Sequence, residues 1–216
     1  FLPTKKRNAI MALYAFCREV DDAVDEISDP LVAAQTLAWW RQEVANTFVG
    51  QATHPVGKAL ADTLQDFNLH EEYFHEIIDG MEMDLTQHRY PAYKNLALYC
   101  HRVASVVGLL SAQIFGFSDR STLKFAEKLG LAFQLTNIIR DVREDAERGR
   151  IYLPLDEMQQ FGVSEQSILD LQQTEALTKL LEFQTQRAEQ FYQEAMQLLP
   201  TQDRYHQCTA LIMAEI

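Results

Sequence analysis

Residues 134–154 read QLTNIIRDVREDAERGRIYLP, and this stretch decides the fold class. Leu135, Ile138 and Ile139 recur at helical spacing, so one face of the segment seeks a core. Asn137, Asp141 and Asp145 step by four, which lines three oxygen-bearing side chains along a second face. Gln134 stands beside that stripe, and Arg140, Arg143, Arg148 and Arg150 follow it. Oxygen-only donors on one stripe suit magnesium, which is held by one or two carboxylates plus substrate phosphates. Imidazole and thiolate are absent from the stripe, which disfavours zinc. Arginines within reach of a diphosphate would complement the metal. Surface i,i+4 pairing among Arg143, Glu144, Glu147 and Arg148 is the rival account, and it is the expected one for Glu144 and Glu147.

A second acidic pair lies far upstream. Residues 14–26 read YAFCREVDDAVDE. Asp21 and Asp25 share a helical face, and Asp22 is turned about 100° away. Like charges at this spacing repel, and the helix around them is largely apolar, so they call for a compensating cation. Arg18 can supply part of it or meet a substrate anion. A solvated acidic face with an Arg18 salt bridge explains the segment alone equally well. Two such pairs across a bundle could hold metal ions that bind a diphosphate and draw electrons from its bridging oxygen, so that the C–O bond ionises.

The rest of the chain is helical in pattern. Six prolines fall between periodic segments, and no alternating strand pattern stands out. The periodicity predicts helices at about 4–27, 30–49, 55–68, 71–89, 92–116, 119–145, 164–172, 174–198 and 201–216. Ser28 or Asp29 can cap the second, Ser118 or Asp119 the sixth. Gly50, Gly116, Gly149 and Gly162 read as helix-end or loop residues. The expected architecture is a single all-α bundle. With 216 residues and 47% hydrophobic content the chain can bury a core, which excludes disorder. A net charge of −12 argues against a nucleic-acid partner. Cys17, Cys100 and Cys208 are scattered, forming neither a disulfide framework nor a zinc site, which fits a reducing cytoplasm. No apolar run reaches the roughly 18–20 residues of a membrane span. The chain opens on Phe1-Leu2-Pro3 and stops at Ile216 within a helical pattern, so both ends read as trimmed.

Together the two long motifs resemble the squalene/phytoene synthase family of head-to-head prenyl synthases, and LYAFCREVDD is similar to its bacterial hopanoid-pathway branch, which makes presqualene diphosphate. The resemblance covers nearly all of residues 1–216 and implies one isoprenoid-synthase bundle around a central apolar cavity. It implies two or three magnesium ions and condensation of two farnesyl diphosphates to presqualene diphosphate, with squalene as a further product in some members. Phytoene synthesis from geranylgeranyl diphosphate is the alternative. By the same resemblance Asp21, Asp25, Asn137, Asp141 and Asp145 are the metal ligands, and Arg18, Gln134 and Arg140 contact the substrate. D-L-x-x-x-R-Y at Asp84 to Tyr90 and Y-C-x-x-V-A at Tyr99 to Ala104 also look familial. Tyr99 matches a tyrosine that assists proton loss, and a core tyrosine is the equal alternative.

Small residues from Val103 to Ala112 leave room for a prenyl tail or allow close helix packing. Phe16, Leu109, Phe133 and Leu135 are either tail contacts or core. No dinucleotide fingerprint appears, which favours a reaction that stops at presqualene diphosphate without NADPH. Transient contact with the inner membrane surface and with downstream isoprenoid enzymes is expected from such greasy products. A carboxylate di-iron bundle, built on Glu72-x-x-His75 and Asp203-x-x-His206, is one rival. A non-catalytic helical scaffold is the other.

Overall fold

The computed structural model describes residues 2–215; Phe1 and Ile216, at the ends of the expected domain and last helix, lie outside the described residues. Twelve α-helices are described: α1 Thr4–Asp25, α2 Pro30–Phe48, α3 Pro55–Leu64, α4 Glu71–Thr86, α5 Tyr93–Cys100, α6 Val106–Phe115, α7 Ser121–Arg140, α8 Val142–Glu147, α9 Leu155–Phe161, α10 Glu165–Leu169, α11 Glu175–Leu198 and α12 Cys208–Glu215. Among these residues no strand forms, and Arg89 and Ile151 make an isolated parallel bridge. The all-α expectation therefore holds. Asp29 caps α2 by accepting from the Leu31 amide at 2.9 Å, with Pro30 at the first helical position. Gly50, Gly116, Gly149 and Gly162 all take positive φ, as helix-end glycines do.

Four boundaries depart from the periodicity. The expected helix 92–116 is α5 and α6 joined by a π turn over His101–Ser105. The expected 119–145 breaks at Asp141, whose φ of −98° and ψ of 9° leave the helical basin. The break is local, because the Asp141 amide still reaches Asn137 O at 2.8 Å and the Asp145 amide reaches Asp141 O at 2.9 Å. The expected 201–216 is a 3₁₀ turn at Thr201–Asp203, then α12. Helix α9 was not expected, although Pro154 before it, Asp156 and Glu157 in its first turn and Gly162 after it are ordinary start and stop signals.

Packing follows the apolar stripes. Ala9, Ala12, Leu13, Phe16, Val20, Ala23 and Val24 step along α1 and join residues of α2 and α4 in one core. A second core gathers residues of α5, α7, α9 and α11 with Ile151–Leu153. The segment Tyr93–Phe115 holds an 18-residue window with a mean hydropathy of 1.3, long and apolar enough by composition to cross a bilayer, although His101 and Arg102 interrupt any apolar run. Its packing against α4 and α7 accounts for that composition.

Two glycines let α7 approach this central helix. A Cβ on Gly108 would lie 2.5 Å from Ala126 O, and one on Gly130 would lie 2.6 Å from Ala104 O. Both obstacles are backbone, so neither can swing away. Gly108→Ala or Gly130→Ala is expected to destabilise the protein by about 1–3 kcal/mol, read as a lowered denaturant midpoint at unchanged slope.

Candidate active site

The two acidic motifs are brought together by the chain that follows α8. Gly149, at φ 75°, turns it back. It then runs beside residues 88–91, with the Ile151 amide on His88 O at 3.1 Å and the Leu155 amide on Tyr90 O at 2.9 Å. Arg89 ties the same corner, donating to Gly149 O at 2.7 Å and pairing with Glu165 at 2.6 Å. This return aims Arg148 and Arg150 at the end of α1. Arg148 Nη1 lies 2.5 Å from Asp25 Oδ2 and Arg150 Nη1 lies 2.8 Å from Asp25 Oδ1. One carboxylate of the first motif is thus gripped by two arginines of the second.

The other acids divide into paired and strained groups. Arg140 holds Asp141 through two contacts, at 2.6 and 2.7 Å. Arg18 reaches Asp22 at 2.7 Å and Asp21 at 3.4 Å. Asp21 has its pKa raised by burial, then by the charge of Asp25, with Arg18 acting in opposition. Asp145 is pushed up to about 6 by burial and then by Asp141, against the pull of Arg150. By count, the five carboxylates Asp21, Asp22, Asp25, Asp141 and Asp145 face the four guanidinium groups of Arg18, Arg140, Arg148 and Arg150.

Below them lies Asp84 of α4, 6% exposed. It accepts the Tyr99 hydroxyl at 2.8 Å and the Tyr152 hydroxyl at 2.6 Å. Burial lifts its pKa to about 6, while both hydroxyls and Arg150 hold it down. Arg150 works the other way: burial opposes its charge, and Tyr152, Asp25 and Asp84 keep it protonated.

Two hollows adjoin this floor. A head pocket of about 230 Å³ is lined by Arg18, Asp21, Tyr99 and Gln134, together with Tyr14, Cys17, Ile77, Met81 and Val103. Tyr14, Cys17, Val103 and Gln134 also line a larger cavity of about 510 Å³. Its walls are apolar: Ile10, Val107, Ala112, Phe115, Leu129 and Phe133 among them, with Gln134 and Asn137 as polar wall residues. Gly108 of the central helix and Gly130 of α7 line it too, so small residues on both helices serve packing and space. Ala210 and Met213 of α12 close one side.

Most expected site residues meet here, and some do not. Phe16 is corrected to plain core: it is fully buried, edge-on to Trp40 at 5.7 Å and Phe74 at 5.2 Å, while its neighbour Cys17 faces both hollows. Leu109 is likewise buried beside the cavity-lining Gly108, about 100° round the helix, and lines neither hollow. Leu135 belongs to the second core and Phe133 to the cavity wall. Arg140 lies on the surface, engaged with Asp141. The di-iron alternative loses its ligands, because Asp203 caps α7 from afar and His75 pairs with Glu71 at 3.3 Å. Asp84 and Tyr152 were not among the expected site residues, and Arg148 and Arg150, expected to pair on the surface or meet a diphosphate, meet Asp25. Asp84 and the arginines stood inside quoted motifs, which was the available signal.

Among the described residues no three His, Cys, Asp or Glu side chains converge on one point. The donor set fits magnesium all the same. It is oxygen-only and carries uncompensated charge, and this ion takes one or two carboxylates and fills its shell with phosphate and water.

A sequence model described as squalene/phytoene synthase matches residues 1–216. The chain belongs to the squalene/phytoene synthase family. Members of the squalene/phytoene synthase family are prenyltransferases. The chain is 40% identical to the phytoene synthase of Arthrospira platensis, aligned over 98% of this chain and 74% of that one. It is 38% identical to 15-cis-phytoene synthase of Synechocystis sp., over 90% of this chain and 61% of that one. Squalene synthase HpnC from Alicyclobacillus acidocaldarius superposes with a TM-score of 0.87 at 29% identity, covering 99% of this chain and 82% of that one. A dehydrosqualene synthase in complex with ligand gives 0.87 at 30% identity, covering 98% and 75%. Likeness to the hopanoid branch in particular is thus only part of the picture, since these sequence relatives carry the phytoene name.

Proposed function

We propose that the protein joins two prenyl diphosphates head to head, with the diphosphates held at the Asp21/Asp25 and Asp141/Asp145 motifs and the tails in the 510 Å³ cavity. The observation that carries this reading is the grip of Arg148 and Arg150 on Asp25, at the floor beside an apolar hollow. Asp21, Asp25, Asn137, Asp141 and Asp145 would hold magnesium, which supplies Lewis-acid neutralisation of the leaving diphosphate. Arg18, Arg148 and Arg150, beside these aspartates, would meet phosphate oxygens as arginine forks do. Apolar walls exclude water, so an allylic cation survives until the second double bond captures it.

The 40% identity with a phytoene synthase favours geranylgeranyl diphosphate as substrate, over the farnesyl diphosphate expected from the motifs. The structural likeness to a squalene synthase and a dehydrosqualene synthase keeps the farnesyl reading as the second. Incubating the protein with each diphosphate and magnesium, with and without NADPH, separates them by product mass. A C40 hydrocarbon from the longer substrate is the expected product. Presqualene diphosphate or a C30 hydrocarbon would favour the second reading. No condensation product from either would overturn both.

A further inference from the structure

Asp84 stands apart from both acidic motifs, on α4, and is buried where their aspartates are half-buried or exposed. A phenol has one proton to donate. Tyr99 gives its proton to Asp84 at 2.8 Å, and Tyr152 gives its own at 2.6 Å. The two rings stack at 5.2 Å, and Tyr90 packs on both at 5.7 and 5.8 Å. The rings are 5%, 7% and 0% exposed, so neither hydroxyl can swing freely to another partner. Tyr99 at the same time lines the head pocket with Arg18, Asp21 and Gln134. With its proton committed to the carboxylate, what the Tyr99 oxygen offers elsewhere is lone pairs.

We infer that Asp84 is a positioning residue that fixes the Tyr99 hydroxyl as a donor away from the head pocket, so that a cation in the pocket meets an oxygen lone pair and not an O–H. The inference rests on the proposed function for the identity of that cation. It needs no proton transfer to Asp84. The carboxylate acts through Tyr99, and its negative charge also raises the electron density of the phenol oxygen through the hydrogen bond. Arg150 extends the arrangement, since it pairs with Asp25 and attracts Asp84. The tyrosine and the diphosphate floor are therefore built on one set of contacts.

The test uses the full chain and reads binding as well as turnover. Two probes are compared by calorimetry: farnesyldimethylammonium, which mimics the cation, and farnesyl thiolodiphosphate, which mimics the uncharged-carbon ground state. Asp84→Asn and Tyr99→Phe are each expected to weaken the ammonium probe roughly tenfold and to leave the thiolodiphosphate within about twofold. The double variant is expected to bind the ammonium no worse than Tyr99→Phe alone, because one residue acts through the other. In turnover, Asp84→Asn is expected to lower kcat about a hundredfold with KM within about threefold. Unchanged ammonium affinity in Asp84→Asn, or losses that multiply in the double variant, would overturn the inference. Should Asp84→Asn fail to fold, Asp84→Glu, which shifts the carboxylate by one methylene, takes its place in the same cycle with the same outcomes. An unaltered protein that binds the probes as expected but condenses neither diphosphate counts against the proposed function and not against the positioning of Tyr99.

Discussion

Asp145→Asn is expected to cut turnover by about a thousandfold or more and, in metal-free buffer at pH 7, to raise the melting temperature. The two effects have one cause. Burial and the Asp141 charge push the Asp145 carboxyl up to about 6. In the unfolded chain it would titrate near about 4. The folded state therefore binds this proton more tightly than the unfolded state does. The penalty of keeping it ionised is full above pH 6, fades as pH falls from about 6 to about 4, and is gone below that. An amide at this position carries no charge and escapes the penalty. The stabilisation of the variant should thus shrink on going from pH 7 to pH 4. Added magnesium should raise the melting temperature of the unaltered protein more than that of the variant. Asp21, raised by burial and by Asp25, should behave alike on Asp21→Asn. A variant that kept near-normal turnover, or that melted lower at pH 7 in the presence of a chelator, would contradict this account of the site.

The second large effect lies far from the chemistry. Asp203→Ala is expected to cost about 3–4 kcal/mol of stability, or roughly 10 °C in melting temperature for a chain of this size. Asp203 is fully covered and accepts from the Ser118 amide at 2.7 Å, the Asp119 amide at 3.0 Å and the Thr122 hydroxyl at 2.6 Å. It adds, from 81 to 85 residues away, to the local cap at the start of α7, where Asp119 Oδ1 accepts the Ser121 amide at 2.8 Å. Truncation strands three donors. Burial opposes ionisation here, but the Thr122, Asp119 and Ser118 contacts win, and its pKa is lowered. The stability it confers is present above about pH 4 and is lost as pH falls through the lower folded value. The gap between the unaltered protein and the variant should therefore hold from neutral pH to about 4 and narrow below. Turnover per folded molecule should be little changed. A loss under 1 kcal/mol would refute the capping role.

What the sequence made legible was local. Asn137, Asp141 and Asp145 share a face because four residues make nearly one turn, and the break at Asp141 left that spacing intact. Fold class followed from periodicity for the same reason. What stayed hidden depends on distance along the chain or on rotation about a helix. Arg148 meets Asp25 across 123 residues, and nothing local to either encodes the meeting. The arginines had been assigned to surface pairs or to phosphate, and Asp84 stood in a motif with no role attached. Phe16 and Cys17 are both apolar on α1, and one step of the helix separates the aromatic core from the cavity wall. Gly108 and Leu109 divide in the same way.

The wide turn at His101–Ser105 has a consequence for length variation in this region. There the Val106 amide reaches His101 O, five residues back where an α-helix would use four. The turn thus stores one surplus residue without rotating what lies beyond it. Removing one residue from 101–105 should leave an unbroken α-helix in which Tyr99 and Gly108 keep their facing directions. Deleting one residue within 94–98 or 110–114 should instead turn every side chain beyond the gap by about 100°. Insertions and deletions among functional relatives should accordingly gather at this turn and avoid the helix on either side.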